Sequence, residues 1–248
     1  MDLTVTKCQI KFMLLLKNWD NKTWLSSKKY IQLFNKFIIK QKKLNKYSRI
    51  LDIGCGRGKI AGNLAKKFKL INKPIGLDIQ NNKNKSKNII FKKVDAITYL
   101  SKTKIIFDLI LIKQTIHLLK KNQILRLLSL SRNKLNSNGK IIILSLDPNK
   151  NQIPTFYLMN KKLKESLKRD KKIFELIINS YSKIIIKKFI FKVRIVKNEY
   201  LKMIKNKFIS TLLSFSDKQI KVGLNEINLK YPKELNFKDR LICLILKR

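Results

Sequence analysis

Acid is scarce in this chain. Asp and Glu number 15 against 57 Lys and Arg, a formal net charge of +42 over 248 residues. Histidine occurs once, proline four times and glycine seven times. The three cysteines, Cys8, Cys55 and Cys243, are far apart and odd in number. With no CxxC and no Cys/His cluster, neither a disulfide framework nor a zinc site finds support, and no metal is expected. No run of 18 apolar residues occurs, so no membrane insertion is expected. The N-terminal CQIKFMLLLKNW carries Lys11 and lacks a small-residue cleavage site, which argues against a secretory signal. The expected location is the cytoplasm.

What is present is a large apolar fraction, 44% of residues, enough for a sizeable core in one domain. The positive charge has two readings. One is a polyanion partner such as RNA. The other is composition: only eight of the 57 basic residues are Arg, and the chain is also rich in Asn and Ile, as in NNKNKSKNII. Lys, Asn and Ile share A- and T-rich codons, and the lysines are spread along the chain rather than massed in a tail. The compositional reading is preferred, with weak polyanion binding at low salt as its corollary.

Periodicity lays out alternating elements. Residues 26–44 carry Ile31, Phe34, Phe37, Ile38 and Leu44 at helical spacing, with Ser26 or Ser27 as N-cap. SRILDI (48–53), KPIGLDI (73–79), IIFKKVDA (89–96), FDLILIKQ (107–114) and KIIILSL (140–146) read as strands. The fourth is nearly all apolar, as suits a central parallel strand. Helices are expected at 59–70 and 121–135, the latter closed by NSNGK with Gly139 as helix stop. This alternation predicts an open α/β sheet with helices on both faces.

Four of the seven glycines, Gly54, Gly56, Gly58 and Gly62, fall within nine positions between the first strand and its helix. A tight turn needs one glycine. Several at alternating positions suit a backbone that approaches a ligand beside a helix N-terminus. The pattern is G-x-G-x-G, with Lys59 where the dinucleotide fingerprint G-x-G-x-x-G has its third glycine, and Asp52 two residues before the first glycine. A carboxylate there repels a pyrophosphate and attracts a cation. In a chain so poor in acids, Asp52, Asp78 and Asp95 end the first three strands, on the edge where open α/β sheets bind ligands. Asp78, 20 residues after Gly58, is placed to accept from ribose hydroxyls, and Asp95 from an adenine amino group. The competing reading of each is a solvated loop acid or a helix cap.

These residues resemble the class I S-adenosylmethionine-dependent methyltransferases. LDIGCGRG is similar to their first motif, GLDI to the second, VDA to the third and FDLILIKQTIHLL to the fourth, over roughly residues 48–146. The resemblance implies a Rossmann-like, mostly parallel sheet of seven strands, the last antiparallel, and S-adenosyl-L-methionine as cofactor. It implies that the glycine loop and Asp52 hold the methionine part, Asp78 the ribose, and Asp95 with Ala96 the adenine. The expected cofactor set is Asp52, Gly54, Cys55, Gly56, Gly58, Asp78, Ile79, Asp95, Ala96 and Lys113.

Strands six and seven are expected at 184–196 and 236–247, with helical insertions near 155–180 and 198–231; Ser216 and Gln219 form a capping-box start. The expected organisation is an N-terminal helical segment, residues 1–47, contributing to a cap, and a methyltransferase domain over 48–248. FISTLLSFSDKQIKVGLNEI resembles the small-molecule subgroup, which places a lid there; the competing reading is ordinary helical packing on the sheet edge.

IKQTIH (112–117) lacks both the Asn/Asp-Pro-Pro-Tyr and the Pro-Cys signatures of base-modifying enzymes. A small-molecule acceptor is therefore the leading expectation, methylated on oxygen or nitrogen by direct displacement, with tRNA or rRNA as the alternative. His117 is the candidate general base, against a packing role. Lys113 and Gln114 are candidates to orient the acceptor, and Trp19, Trp24 and Tyr30 to wall its pocket. A carboxylate acceptor needs no base; a hydroxyl does. A nicotinamide-dependent oxidoreductase is disfavoured by Asp52 and Lys59.

Overall fold

The structure, a computed structural model, describes residues 22–248. Cys8, Trp19 and the apolar stretch 8–19 lie outside the described residues. Helix α1 (Lys28–Gln41) is followed by β1 (Ile50–Ile53), α2 (Lys59–Phe68), β2 (Ile75–Asp78), β3 (Ile90–Lys93) and α3 (Ala96–Lys102). Then come β4 (Phe107–Lys113), α4 (Lys121–Asn133), β5 (Leu135–Leu146), α5 (Tyr157–Ser180) and β6 (Ile185–Val196). The chain ends with α6 (Lys197–Lys205), α7 (Asp217–Lys230) and β7 (Glu234–Lys247). Short 3-10 turns lie at Trp24–Ser26, Ile116–Leu118 and Ser210–Ser214.

The seven strands form one sheet in the order β3-β2-β1-β4-β5-β7-β6. β1 to β5 pair in parallel, and β7 runs antiparallel to both β5 and β6. From β1 the chain builds outward through β2 and β3, then returns to add β4 on the opposite side. That reversal opens a crevice at the carboxyl ends of β1 and β4, the place where such sheets bind ligands.

Both faces of the central strands are buried, which is why β4 reads as nearly all apolar. Leu109 and Leu111 pack on one side with Phe34, Ile38 and Leu64, while Ile110 and Ile112 pack on the other with Leu100, Ile124 and Leu128. Each fully buried side chain of this kind stabilises the fold by about 1.5–3 kcal/mol.

One expectation is corrected. NSNGK does not close a helix; α4 ends at Asn133, and β5 starts at Leu135. Leu135 pairs with Phe107, then the register shifts and Lys140 pairs with Leu109. Gly139 sits in this irregular stretch, where a β carbon would lie 2.9 Å from Leu135 Cβ. The glycine permits a bulge rather than stopping a helix.

Ser27 caps α1, its hydroxyl accepting from Tyr30 N at 3.2 Å. Ahead of it, Trp24 inserts among Tyr200, Phe208 and Phe237, with ring centroids 5.2–6.4 Å away. Its indole N–H donates to buried Asp239 on β7 at 3.1 Å. Trp24 and Tyr30 are thus core residues, 7% and 0% exposed. Aromatic pairs add about 0.5–1.5 kcal/mol each beyond burial, so this contact ties the N-terminal segment firmly to α6 and β7. Ser216 and Gln219 cap α7 reciprocally, as their spacing predicts.

Candidate active site at the carboxyl ends of β1 and β4

The loop after β1 turns on three left-handed glycines, Gly54, Gly56 and Gly58, at φ +67°, +55° and +64°. At Gly54 a β carbon would also lie 2.1 Å from Thr115 Oγ1, so the exits of β1 and β4 are in close contact. Gly62 has a different reason: a β carbon there would meet Ser86 Oγ at 2.1 Å, so α2 packs directly on the loop before β3. The backbone N–H groups of Gly54 and Cys55 both donate to Leu77 O, at 2.8 and 3.0 Å. The Asp78 carboxylate completes the cradle, accepting from Gly56 N and from Gln80 N, each at 2.8 Å. Burial raises its pKa and these backbone donors oppose the rise.

Two clefts meet at Gly54. The first is lined by Asp78, Ile79, Asn82, Asp95, Ala96 and Thr115, with apolar walls from Leu77, Val94 and Leu118. Asp95 is also the N-cap of α3, its Oδ1 accepting from Thr98 N at 2.9 Å, so the capping reading and the cleft reading both hold. The second cleft is lined by Asp52, Cys55, Gly56, Lys59 and Lys113. Asp52 is 4% exposed. Burial pushes its pKa up to about 7, Lys113 pulls it down and Asp78 pushes it further up. Lys113 Nζ donates to Gln114 Oε1 at 2.7 Å and lies 5.3 and 5.6 Å from the ring centres of Tyr30 and Phe34. Burial drives the Cys55 thiol far up, so it stays neutral.

A third pocket lies under α5 and the 3-10 turn at Ser210–Ser214. Gln114, His117, Leu146, Arg169, Asp170 and Thr211 line it. Gln114 has φ +52°, a left-handed conformation that a non-glycine residue adopts at a cost of about 1–3 kcal/mol. His117 Nδ1 is buried with no hydrogen-bond partner among the described residues. Burial, then the Arg169 charge, lowers its pKa to about 4, so the ring is neutral at neutral pH.

The geometry thus gathers Asp52, Gly54, Cys55, Gly56, Asp78, Ile79, Asp95, Ala96 and Lys113 around two adjoining clefts. Gly58 lines neither; it is the left-handed N-cap of α2 and faces Ile89. His117 belongs to the third pocket rather than to these clefts. Thr115, Asn82, Arg169, Asp170 and Thr211 were not singled out by sequence. Thr115 had a signal, since it directly follows β4. Asp170 had none, because it sits in the lysine-rich run KRDKK.

The family described as "Methyltransferase domain" matches residues 44–207. No curated protein matches the sequence. Among solved structures, a protein described as a methyltransferase from an antibiotic biosynthesis pathway of Anabaena variabilis superposes with a TM-score of 0.62 at 17% identity, covering 85% of this chain and 95% of that one. The plantazolicin methyltransferase BpumL, in complex with a pentazolic desmethylPZN analog and SAH, gives 0.54 at 16% identity, covering 97% and 96%. A SAM-dependent methyltransferase from Archaeoglobus fulgidus gives 0.51 at 22% identity, covering 88% and 94%. At these identities the likeness is one of fold.

Proposed function

The chain belongs to the methyltransferase-domain family, and on that premise we propose that it methylates a small molecule, on oxygen or nitrogen, with S-adenosylmethionine as donor and by direct displacement. One observation carries the reading. Three consecutive residues leaving β4 line three different cavities: Lys113 the second cleft, Gln114 the third pocket and Thr115 the first cleft. A donor spread over the two clefts that share Gly54 would therefore have an acceptor in the third pocket as its immediate neighbour.

The residues fit that donor. Each Asp78 oxygen already accepts one backbone N–H and retains a lone pair for a ribose hydroxyl. The missing β carbon of Gly56, which would meet nothing within 4 Å, leaves the backbone open to the methionine part. Asp52 supplies a carboxylate toward a cationic ligand, and Lys113 favours its charged form against burial. Asp95, Ala96 and Ile79 would bound the adenine. When bound, S-adenosylmethionine supplies a methyl group already activated by the positive sulfur.

The chain then has to align the acceptor and exclude water. The lysine-to-glutamine hydrogen bond fixes the junction between donor and acceptor cavities. In a direct displacement the methyl carbon–sulfur bond would break toward sulfur as the acceptor's lone pair bonds to carbon, and His117 would take the acceptor's proton. A base of such low pKa suits an O–H proton, which becomes strongly acidic as the bond forms.

A second reading, an RNA acceptor, is favoured by one feature. Lys28, Lys36, Lys66 and Lys67 line a groove between α1 and α2 that has no acid among its lining residues. Calorimetry with S-adenosylmethionine and S-adenosylhomocysteine tests the donor assignment: both should bind the full chain at one site, and no heat from either would overturn it.

A further inference from the structure

The side-chain amide of Gln114 has one end engaged and one end open. Lys113 Nζ lies 2.7 Å from its Oε1. An ammonium only donates, so the amide atom facing Lys113 is the oxygen, and the group cannot turn over without losing that bond. Its Nε2 has no hydrogen-bond partner among the described residues. Lys113 lines the second cleft and Gln114 the third pocket, so the oxygen is engaged on the donor side and the N–H groups are left for the pocket. The backbone holds the residue there: Gln114 N donates to Leu144 O at 2.7 Å, at a φ of +52°. A non-glycine residue keeps such a conformation only where its surroundings impose it, and strain of this kind collects at ligand sites.

The rest of the pocket is balanced in charge. Arg169 and Asp170 are ion-paired at 3.7 Å. Burial keeps His117 neutral. Leu146, Leu163, Leu167 and Ile209 form aliphatic walls.

We infer that Gln114 selects the atom that is methylated, and that the acceptor is a hydroxyl group on an apolar body rather than an amine. The reason is a count of lone pairs. A hydroxyl oxygen has two lone pairs and one O–H. One lone pair accepts from Gln114 Nε2 and the other attacks the methyl carbon. The O–H proton goes to His117, the carbon–sulfur bond breaks toward sulfur, and an ether results. A neutral amine nitrogen has a single lone pair, which cannot accept from Gln114 and attack carbon at once. An alkylammonium has none. The amide thus anchors an oxygen with its free lone pair toward the donor, an orienting role. Lys113 strengthens the hold, because a cation on the amide oxygen polarises the N–H groups.

The inference rests on the third pocket being the acceptor site, and the test separates the two. Three probes are titrated into the full chain loaded with S-adenosylhomocysteine and followed by NMR shift changes. Hexan-2-one only accepts a hydrogen bond, hexylamine as its ammonium only donates, and hexan-1-ol does both. Physiological salt limits the reach of the surface charge. On the wild-type chain the ketone and the alcohol should bind about tenfold more tightly than the amine. Gln114→Glu exchanges the donor for a carboxylate, which only accepts. It should weaken the ketone about tenfold and tighten the amine, while the alcohol, able to reverse its hydrogen bond, stays nearly unmoved. Gln114→Met should weaken the ketone and the alcohol and leave the amine. Thr211→Trp, which fills the pocket, should remove all three probes and spare S-adenosylhomocysteine. Probes that still bind Thr211→Trp would overturn the pocket assignment itself. Probes lost from Thr211→Trp, with a ketone unmoved by Gln114→Glu or an amine that binds the wild-type chain most tightly, would overturn the role of Gln114 alone. No binding by any probe to the wild-type chain would count against both. If Gln114→Glu fails to fold, Gln114→Met decides through the ketone.

Discussion

A β carbon on Gly54 would lie 2.1 Å from the Thr115 hydroxyl oxygen. The residue that opens the glycine loop and the residue that follows the central strand are in direct contact. Gly54→Ala therefore meets two obstacles, a left-handed φ and the Thr115 side chain. The backbone term alone costs about 1–3 kcal/mol. Urea denaturation should show a lower midpoint at unchanged slope, and S-adenosylhomocysteine binding should weaken in the folded fraction. A variant of wild-type stability and affinity would show that the two strand exits move apart freely.

Asp78 bridges the loop and the turn after β2 through Gly56 N and Gln80 N. If it also holds a ribose, Asp78→Ala removes charge-assisted hydrogen bonds worth about 1.5–3 kcal/mol. Calorimetry should register roughly a tenfold to hundredfold loss in affinity for S-adenosylhomocysteine. Unchanged affinity in a folded variant would remove Asp78 from the site.

Asp52 predicts a pH dependence. Burial raises its pKa from the usual 3.8 to about 7, so between those values the folded chain binds the proton more tightly than the unfolded chain does. Stability therefore contains a component that falls as pH rises from about 4 to about 7. Lys113 and Asp78 face the same carboxyl with opposite effects, and both remain in Asp52→Asn. His117, lowered to about 4, acts in the opposite direction below its unfolded value of 6.5 and is common to both proteins. The difference in urea midpoint between wild type and Asp52→Asn should shift in favour of the variant as pH climbs from 4 to 7, then level off. A constant difference across that range would mean that Asp52 titrates near its ordinary value.

The lysine-lined groove separates composition from function. If the charge is compositional, RNA binds weakly and without sequence preference, and its affinity falls steeply with salt because counterion release drives it. Filter binding of total RNA should be largely lost at physiological salt. A tight complex at that salt, weakened by replacing Lys66 and Lys67, would favour the RNA acceptor.

How far the sequence carries depends on whether an element's residues are contiguous. The βα alternation was legible because both faces of β4 are buried, making FDLILI apolar throughout. The glycine loop and the acids at the ends of β1 to β3 were legible because each lies within a few residues of its strand end. The β5 bulge was not, since Gly139 serves a helix stop and an irregular strand equally well. The third pocket was hidden for another reason. It joins residues near 114–117, 166–170 and 209–211, and only folding brings α5 and the Ser210–Ser214 turn over the end of β4. Asp170 is one acid in a lysine-rich helix, and only its burial sets it apart.

The central claim is methyl transfer to a small acceptor in the pocket beside Gln114. The most direct test incubates the full chain with methyl-labelled S-adenosylmethionine and, in separate reactions at physiological salt, a metabolite extract and total RNA. The account predicts label in one small molecule, none in RNA, and loss of that label in Thr211→Trp while S-adenosylhomocysteine still binds. Label on one defined nucleotide, or labelling of the small molecule undiminished by Thr211→Trp, would contradict it.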